Sequence, residues 1–380
     1  MRYEGRRPKT FMTVLGEMTL MRAYYHCETC KNSLVPRDGT LLMDHLSLSP
    51  GVVRMTGLAA AMVSFEEGSL LLSALAGVAV NAKRVERTAE TLGRQIARDE
   101  REHVVSDDRI ASTLYLGVDG TGIPVRQSEL LGRKGKQANG SAKTREVKLC
   151  TVWSAESRDK EGRPARDEGS VTYSAAIESA AARATDDAPF AQRVLREATR
   201  RGFDKAERRV VLGDGAHWIW NLAGEYFPGA VEIVDRFHAK ERLSNVSKAI
   251  YGVGSELGRQ WAKERHDELD EGRLDDLIRM LDIHGSSCDE ARKCRDYIGE
   301  NRSRMRYPEF HAQGLCTSTG VVEAGCKLAI GTRLKRAGMH WSVQGADAII
   351  ALRCTILSSR FEDFWERRTE HAACRTATFD

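Results

Sequence analysis

The chain lacks any apolar run near the roughly 18 residues that a membrane-spanning helix needs, and its opening MRYEGRRPKTF lacks the apolar core of a secretory signal. It lacks a disulfide framework as well. Nine cysteines lie scattered over 380 residues, which reads as reduced thiols in a cytoplasm. Charge of one sign is also missing: 58 Lys and Arg against 54 Asp and Glu leave only +4, so bulk charge does not argue for a nucleic-acid partner and local clusters must decide. No internal repeat or low-complexity tract breaks the chain. What remains is a globular composition, 41% hydrophobic and 29% charged, on a chain long enough for two or more units.

Residues 9 to 30, KTFMTVLGEMTLMRAYYHCETC, alternate apolar and polar side chains about Gly16 and predict a β-hairpin. Cys27 and Cys30 form one CxxC at its end, which is half of a four-ligand zinc site or simply two buried thiols. From Pro50 to about Arg98 the period becomes helical. LLSALAGVAVNAKRVERTAETLG has helix-turn-helix proportions, with Gly77 as the turn, Asn81 as N-cap and Val85, Thr88, Ala89 and Leu92 as the inward stripe. Lys83, Arg84 and Arg87 then sit at the exposed start of the second helix, either facing DNA or forming the solvated face of an ordinary αα-hairpin. Strand-like runs follow at STLYLGVDGTGIPV, EVKLCTVWSAE, SVTYSAAIES, RRVVLG and AVEIVDRFH, with helices at about 188 to 201 and at HWIWNLAGEYF. The loop RQSELLGRKGKQANGSAKTRE, with Lys134 and Lys136, is basic enough to track a phosphate backbone, or it is a solvated hairpin tip. Residues 240 to 306 turn charged and helical, with stripes at Leu274, Leu277, Ile278 and Leu281 and at Ala291, Cys294 and Ile298.

Three acids stand out of this layout. Asp119 in LYLGVDGTG and Asp214 in RRVVLGDGAHW each end a β-branched apolar run, and a mixed α/β sheet presents such strand ends to ligands. Glu323 in STGVVEAGCK sits at helical spacing, with Val322, Cys326 and Ala329 facing inward and Lys327 one turn on. Hard carboxylate oxygens in that order suit Mg²⁺ or Mn²⁺, and two such ions can activate an attacking oxygen and stabilise a leaving one. Basic residues after Glu323, namely Lys327, Arg333, Lys335 and Arg336, are candidates for phosphate contact.

GVDGTGIPV, LGDGAHWIWN, VDRFHAKERL and STGVVEAGCKLAIGTRLKRAGMHWS resemble the signature blocks of DDE transposases from bacterial insertion sequences, most closely the ISKra type. The resemblance runs from EGRRPKTF to the last helix. It implies an α/β fold with an RNase H-like mixed sheet, a helical insertion before the final Glu, and a β-hairpin and helix-turn-helix region in front. It also implies cleavage at transposon ends and strand transfer into target DNA, by Asp119, Asp214 and Glu323 holding two Mg²⁺ or Mn²⁺ ions, in a nucleoid-associated homo-oligomer. Asp235 and His238 match a D-x-x-H element of several such groups and become accessory candidates; the alternative is a strand end with a packed His. Relatives carry an earlier cysteine pair, so the resemblance places the natural start upstream and leaves Cys27 and Cys30 without partners. The expected order is a hairpin (1–48), a helical DNA-binding region (49–108), a catalytic domain in two parts (109–239 and 312–358) around the insertion (240–311), and a tail (359–380). An RNase H-like nuclease without strand transfer and a truncated remnant that only binds DNA are the competing readings.

Overall fold

The computed structural model describes residues 1–43, 47–106, 110–135, 137, 140–180 and 188–377. A long ribbon opens the chain: β1 (Arg2–Thr13) pairs antiparallel with β2 (Gly16–His26), whose other edge takes β3 (Ser33–Leu34). Helices α1 (Pro36–Thr40), α2 (Pro50–Met62), α3 (Phe65–Ala76) and α4 (Ala82–Glu102) follow. Next come β4 (Thr113–Pro124), β5 (Thr144–Ser154), the small pair β6 (Ser157–Arg158) and β7 (Pro164–Ala165), and β8 (Thr172–Ala176). Helix α5 (Pro189–Arg200) leads to β9 (Arg208–Gly213), and α6 (His217–Tyr226) leads to β10 (Val231–Val234). Then α7 (Arg236–Tyr251), α8 (Glu256–Asp270), α9 (Leu274–Gly285), α10 (Asp289–Glu300) and α11 (Tyr307–Ala312) precede α12 (Gly320–Gly325). A π-helical stretch, Cys326–Gly331, joins α12 to α13 (Thr332–Leu334), after which α14 (Val343–Leu357) and α15 (Phe361–Ala377) close the chain.

The chain forms two compact units. One comprises Met1–His103, Ile123–Arg145 and Ala329–Asp380; the other comprises Val104–Gly122 and Glu146–Leu328. In the first, the hairpin is longer than its alternation suggested, because its outer half is polar on both faces and is held by cross-strand contacts. Thr10 and Thr19 hydroxyls meet at 2.8 Å, and the Arg7 guanidinium lies 3.6 Å from the centre of the Tyr24 ring. The helix pair is where its signals put it: Gly77 ends α3 at φ +64, the Asn81 side chain caps α4 by accepting from Arg84 N at 2.9 Å, and Val85, Thr88, Ala89 and Leu92 are buried. Gly93 extends that stripe onto α14. A Cβ there would lie 2.0 Å from the Ala348 carbonyl oxygen, so glycine permits a near-contact of helix backbones. This packing groups residues from Ala329 onward with α2 to α4, and cuts across the expected catalytic segment 312–358.

The second unit holds a mixed five-stranded sheet in the order β10-β9-β4-β5-β8. β4 and β10 both run parallel to β9, while β5 and β8 are antiparallel. Gly120 abuts Glu146 whereas Tyr115 stacks on Trp153, so β4 and β5 also run antiparallel. Val210, Val211 and Leu212 are all fully buried, as a strand covered on both faces requires. The amphipathic stripes expected between 240 and 306 are there: Leu274, Leu277 and Leu281 are buried on α9, and Ala291, Cys294 and Ile298 on α10.

Candidate active site

The sheet brings the first two acids together through its register. Pairing of β4 with β9 runs from Thr113 opposite Arg208 to Gly117 opposite Leu212. Asp119 lies two residues beyond Gly117 in β4 and Asp214 directly after the last residue of β9, so the two carboxylates come to the same end of this strand pair and act on each other electrostatically. Asp119 Oδ1 accepts from Gly120 N at 2.6 Å, and Oδ2 accepts from the Cys326 thiol at 3.6 Å. Burial pushes its carboxyl above the usual carboxylate range. The hydrogen bonds from Gly120 and Cys326 oppose that shift, while the Asp214 carboxylate adds to it. Asp214 Oδ1 accepts from Ala216 N at 2.9 Å, just before α6. Its carbonyl accepts from the Tyr297 hydroxyl at 2.8 Å, so α10 of the helical segment pins the strand end. Gly215, at φ +94, is required there: a Cβ would meet the Tyr297 ring at 2.3 Å.

Glycines also seat the helix that carries Glu323. A Cβ on Gly117 of β4 would lie 2.2 Å from Val322 Cγ2, and one on Gly325 would lie 2.8 Å from the Tyr173 ring and 2.9 Å from Leu149. α12 therefore rests on the sheet face over β4, β5 and β8, and Cys326 reaches Asp119 from the turn after Glu323. Val322, Cys326 and Ala329 are buried as their spacing indicated. Glu323 is exposed, and Lys327 Nζ donates to its Oε1 at 2.8 Å; that bond, with the ammonium charge, holds the Glu323 carboxyl below its ordinary range. The His238 imidazole acts in the same direction on both Glu323 and Asp119, so all four groups share one electrostatic neighbourhood.

Asp235 has another task. It is 2% exposed and caps α7 by accepting from His238 N at 2.7 Å, while its other oxygen accepts from Thr319 N and, at 2.7 Å, from Thr319 Oγ1. Arg236 N adds a bond to Thr317 O at 2.9 Å. The end of β10 is thereby clipped to the start of α12. Asp235 spends its lone pairs on positioning, and His238, half-exposed beside Glu241, is the member of the pair that faces the acids electrostatically.

Three hard carboxylates fit the chemistry of Mg²⁺ or Mn²⁺. Among the described residues, however, no group of three or more His, Cys, Asp or Glu side chains is assembled tightly enough to hold an ion. Glu323 is engaged instead by Lys327.

The family model for the Uncharacterised protein family (UPF0236) matches residues 1–361. The chain belongs to UPF0236. No curated protein matches this UPF0236 chain in sequence. Among solved structures, the Drosophila P element transposase strand transfer complex is similar over 82% of this chain and 80% of that chain, at 10% identity and a TM-score of 0.30. A superposition that loose fixes no activity.

The remaining candidates of the UPF0236 chain fall into distinct groups. Lys83 and Arg87 are exposed and Arg84 half-buried at the start of α4, with Lys83 donating to Glu86 at 2.6 Å. Lys134 and Lys335 are exposed, and Lys136 lies outside the described residues. Arg333 corrects its sequence reading: it is fully buried, donates to Ala60 O at 2.8 Å and lies over the Phe65 and Trp341 rings at 4.8 and 5.1 Å. Arg336 is committed to Glu67 through paired bonds of 2.5 and 2.7 Å. Cys27 and Cys30 are free thiols but not buried ones, since Cys27 is half-buried and Cys30 exposed at the end of the ribbon, and the hydrogen bonds Cys27 takes from Cys30 lower it to about 7. Sequence reasoning missed Tyr297, which carried no local signal, and Thr319, whose place in STGVVE gave no hint of its acceptor 84 residues away. No helix among the described residues is long and apolar enough to cross a membrane.

Proposed function

We propose that this UPF0236 chain is a metal-dependent DNA transposase of the DDE type, with an RNase H-like catalytic sheet. Three things support the reading: the signature blocks around the acids, a sheet whose strands taken in chain order lie 3-2-1-4-5 as an RNase H-like sheet requires, and the convergence at its edge. The observation that carries it is that convergence. Asp119 lies within β4 and Asp214 follows the last residue of β9, its parallel neighbour, and the helix of Glu323 is docked on the sheet through Gly117 and Val322 and bonded to Asp119 through Cys326.

In this role Asp119, Asp214 and, once released from Lys327, Glu323 are the residues that hold Mg²⁺ or Mn²⁺. Such ions polarise a phosphodiester and lower the pKa of the attacking oxygen. The chain's own groups do the rest: Asp235 and Thr319 orient the Glu323 helix, Tyr297 fixes the Asp214 backbone, and Gly120 N and the Cys326 thiol hold the Asp119 carboxylate. Lys83, Arg84, Arg87 and Lys335 contact phosphates of the DNA, and Lys327, beside Glu323, those at the acids. Joining paired ends calls for more than one copy. The test is cleavage and joining of DNA bearing the element's own termini. Asp119→Asn, Asp214→Asn and Glu323→Gln should each lose metal-dependent cleavage while retaining DNA binding. Undiminished cleavage by Asp214→Asn would overturn the assignment.

A further inference from the structure

Cations on and around α7 are paired, with one exception. Arg236 and Lys240 both bond to Asp270, Arg304 bonds to Glu232, and Lys327 to Glu323. Arg242, on the same helix, is exposed, and among the described residues no acceptor takes any of its N–H groups. Its contact is with a ring: the guanidinium carbon lies 4.0 Å from the centre of Tyr297. Tyr297 in turn donates to Asp214 O at 2.8 Å and fills the space beside Gly215, so one aromatic ring separates the guanidinium from the backbone of the second acid. Burial pushes the Tyr297 hydroxyl above its usual range; the Arg242 charge opposes that shift and the Asp214 charge adds to it, which puts both charges in reach of one oxygen. Arg242 also follows His238 by one turn and shares its face of α7, and His238 is the residue whose charge acts on Asp119 and Glu323. An exposed cation over a ring contributes little to stability. What the ring does is hold a planar fork beside the acids with its donors open, the state in which arginine takes a phosphate through paired bonds.

We infer that Arg242 is a substrate-binding residue of the proposed site, its guanidinium taking the non-bridging oxygens of the phosphodiester that is cut. The inference rests on the transposase reading and adds to it a residue that none of the signature acids or basic candidates includes. A phosphodiester brought up to three carboxylates meets like charge. A guanidinium already fixed on the Asp214 side offsets part of it without having to move. Charge on the phosphate oxygens shifts during displacement, and paired N–H bonds that strengthen with it act on the transition state more than on the bound DNA, so loss of Arg242 falls on kcat rather than on KM. Lys83, proposed only to hold DNA, behaves the other way: its loss raises KM.

Cleavage of a duplex bearing the element's own terminus is measured in Mg²⁺ with the full chain as parent, Arg242→Ala, Arg242→Lys, Tyr297→Phe and the double variant of Arg242→Ala with Tyr297→Phe. Arg242→Ala should melt like the parent, because the residue is exposed, while kcat falls roughly 100-fold and KM stays within about threefold. Arg242→Lys keeps the charge without the fork and should recover only part of the loss. Guanidinium ion, added below denaturing concentrations, should speed Arg242→Ala and leave Lys83→Ala unchanged. Tyr297→Phe keeps the ring and removes the bond to Asp214. If Arg242 acted only by steadying that hydroxyl, its loss would cost nothing further in the Tyr297→Phe background; the expected result is the same factor in both backgrounds. Arg242→Ala cleaving at the parent rate, or losing nothing more once Tyr297 is Phe, would overturn the inference and leave the transposase reading standing. A parent that does not cleave, or an Asp214→Asn variant that cleaves undiminished, would overturn that reading and this inference with it.

Discussion

Asp235 separates two accounts of the D-x-x-H element, and its replacement by Asn tests them. The carboxylate is 2% exposed and accepts from His238 N, Thr319 N and Thr319 Oγ1. An amide has one acceptor atom, so at least one of the two backbone N–H groups is left buried without a partner, at about 1–3 kcal/mol, and the bonds that survive lose their charge assistance. A loss of roughly 3 kcal/mol is expected for Asp235→Asn. Thr319→Val keeps the side-chain shape and removes only the hydroxyl bond, for about 1.5–3 kcal/mol. Since both variants remove that same bond, the double variant should cost less than the sum by about 1–2 kcal/mol, the signature of a shared contact. Urea denaturation of the four proteins gives the stability cycle, and metal-dependent cleavage gives the parallel set of rates. Thr319→Val should also slow cleavage, because it loosens the start of the Glu323 helix. If Asp235→Asn instead abolished cleavage with stability within about 0.5 kcal/mol of the parent, or if the two changes were additive, Asp235 would act on the reacting atoms and the clip would be mistaken.

Other outcomes follow from the same geometry. Gly117→Ala puts a methyl 2.2 Å from Val322 Cγ2, so it should cost about 1–3 kcal/mol by overpacking and reduce cleavage with all three acids intact; a fully active, fully stable variant would refute the close docking of α12. Asp119 has its folded pKa raised, so its contribution to stability is fully present below its unfolded pKa and lost as pH rises through the folded value. Metal-free Asp119→Asn should therefore gain on the parent in urea denaturation at pH 7 relative to pH 3.5, and an unchanged difference between the two pH values would contradict the burial. Arg333→Ala should destabilise by roughly 2–5 kcal/mol through lost ring contacts and buried bonds, while Lys335→Ala should change stability by less than about 0.5 kcal/mol yet weaken DNA binding at low salt.

Legibility in the sequence followed the range of the interaction. Gly77, Asn81 and the Val85 stripe could be read because caps, turns and helical faces are local, and the strand end before Asp214 because its β-branched run stops there; Asp119, read the same way, lies instead inside β4, which continues to Pro124. Arg333 could not be read. Nothing within a turn of it distinguishes a phosphate contact from a guanidinium packed against the rings of Phe65, far back in the chain, and Trp341. Asp235 was half-read: the D-x-x-H spacing is also that of an N-cap accepting from its third neighbour, and only Thr319 reveals the second use. The division at Ala329 was hidden because it depends on Gly93 admitting the backbone of Ala348.

The partial assembly of the acids has a physical reason. The Asp214 carboxylate already acts on Asp119, whose charged form burial disfavours, so a third carboxylate brought close without a cation would add like charge where the first is already penalised. Pairing Glu323 with Lys327 on the helix surface avoids that cost, and it is an exposed contact of the kind worth at most about 1 kcal/mol. The anchor of the arm is the opposite: Asp235, Thr319, Gly117 and Val322 are packed or bonded in the interior. On the proposed function, a firmly seated helix with a weakly held carboxylate is the arrangement in which a divalent cation held by the two aspartates would become the stronger partner for Glu323. Removing the surface pair with Lys327→Met should therefore lower the Mg²⁺ concentration needed for half-maximal cleavage; a raised requirement would mean that Lys327 holds Glu323 in place for the cation and does not compete with it.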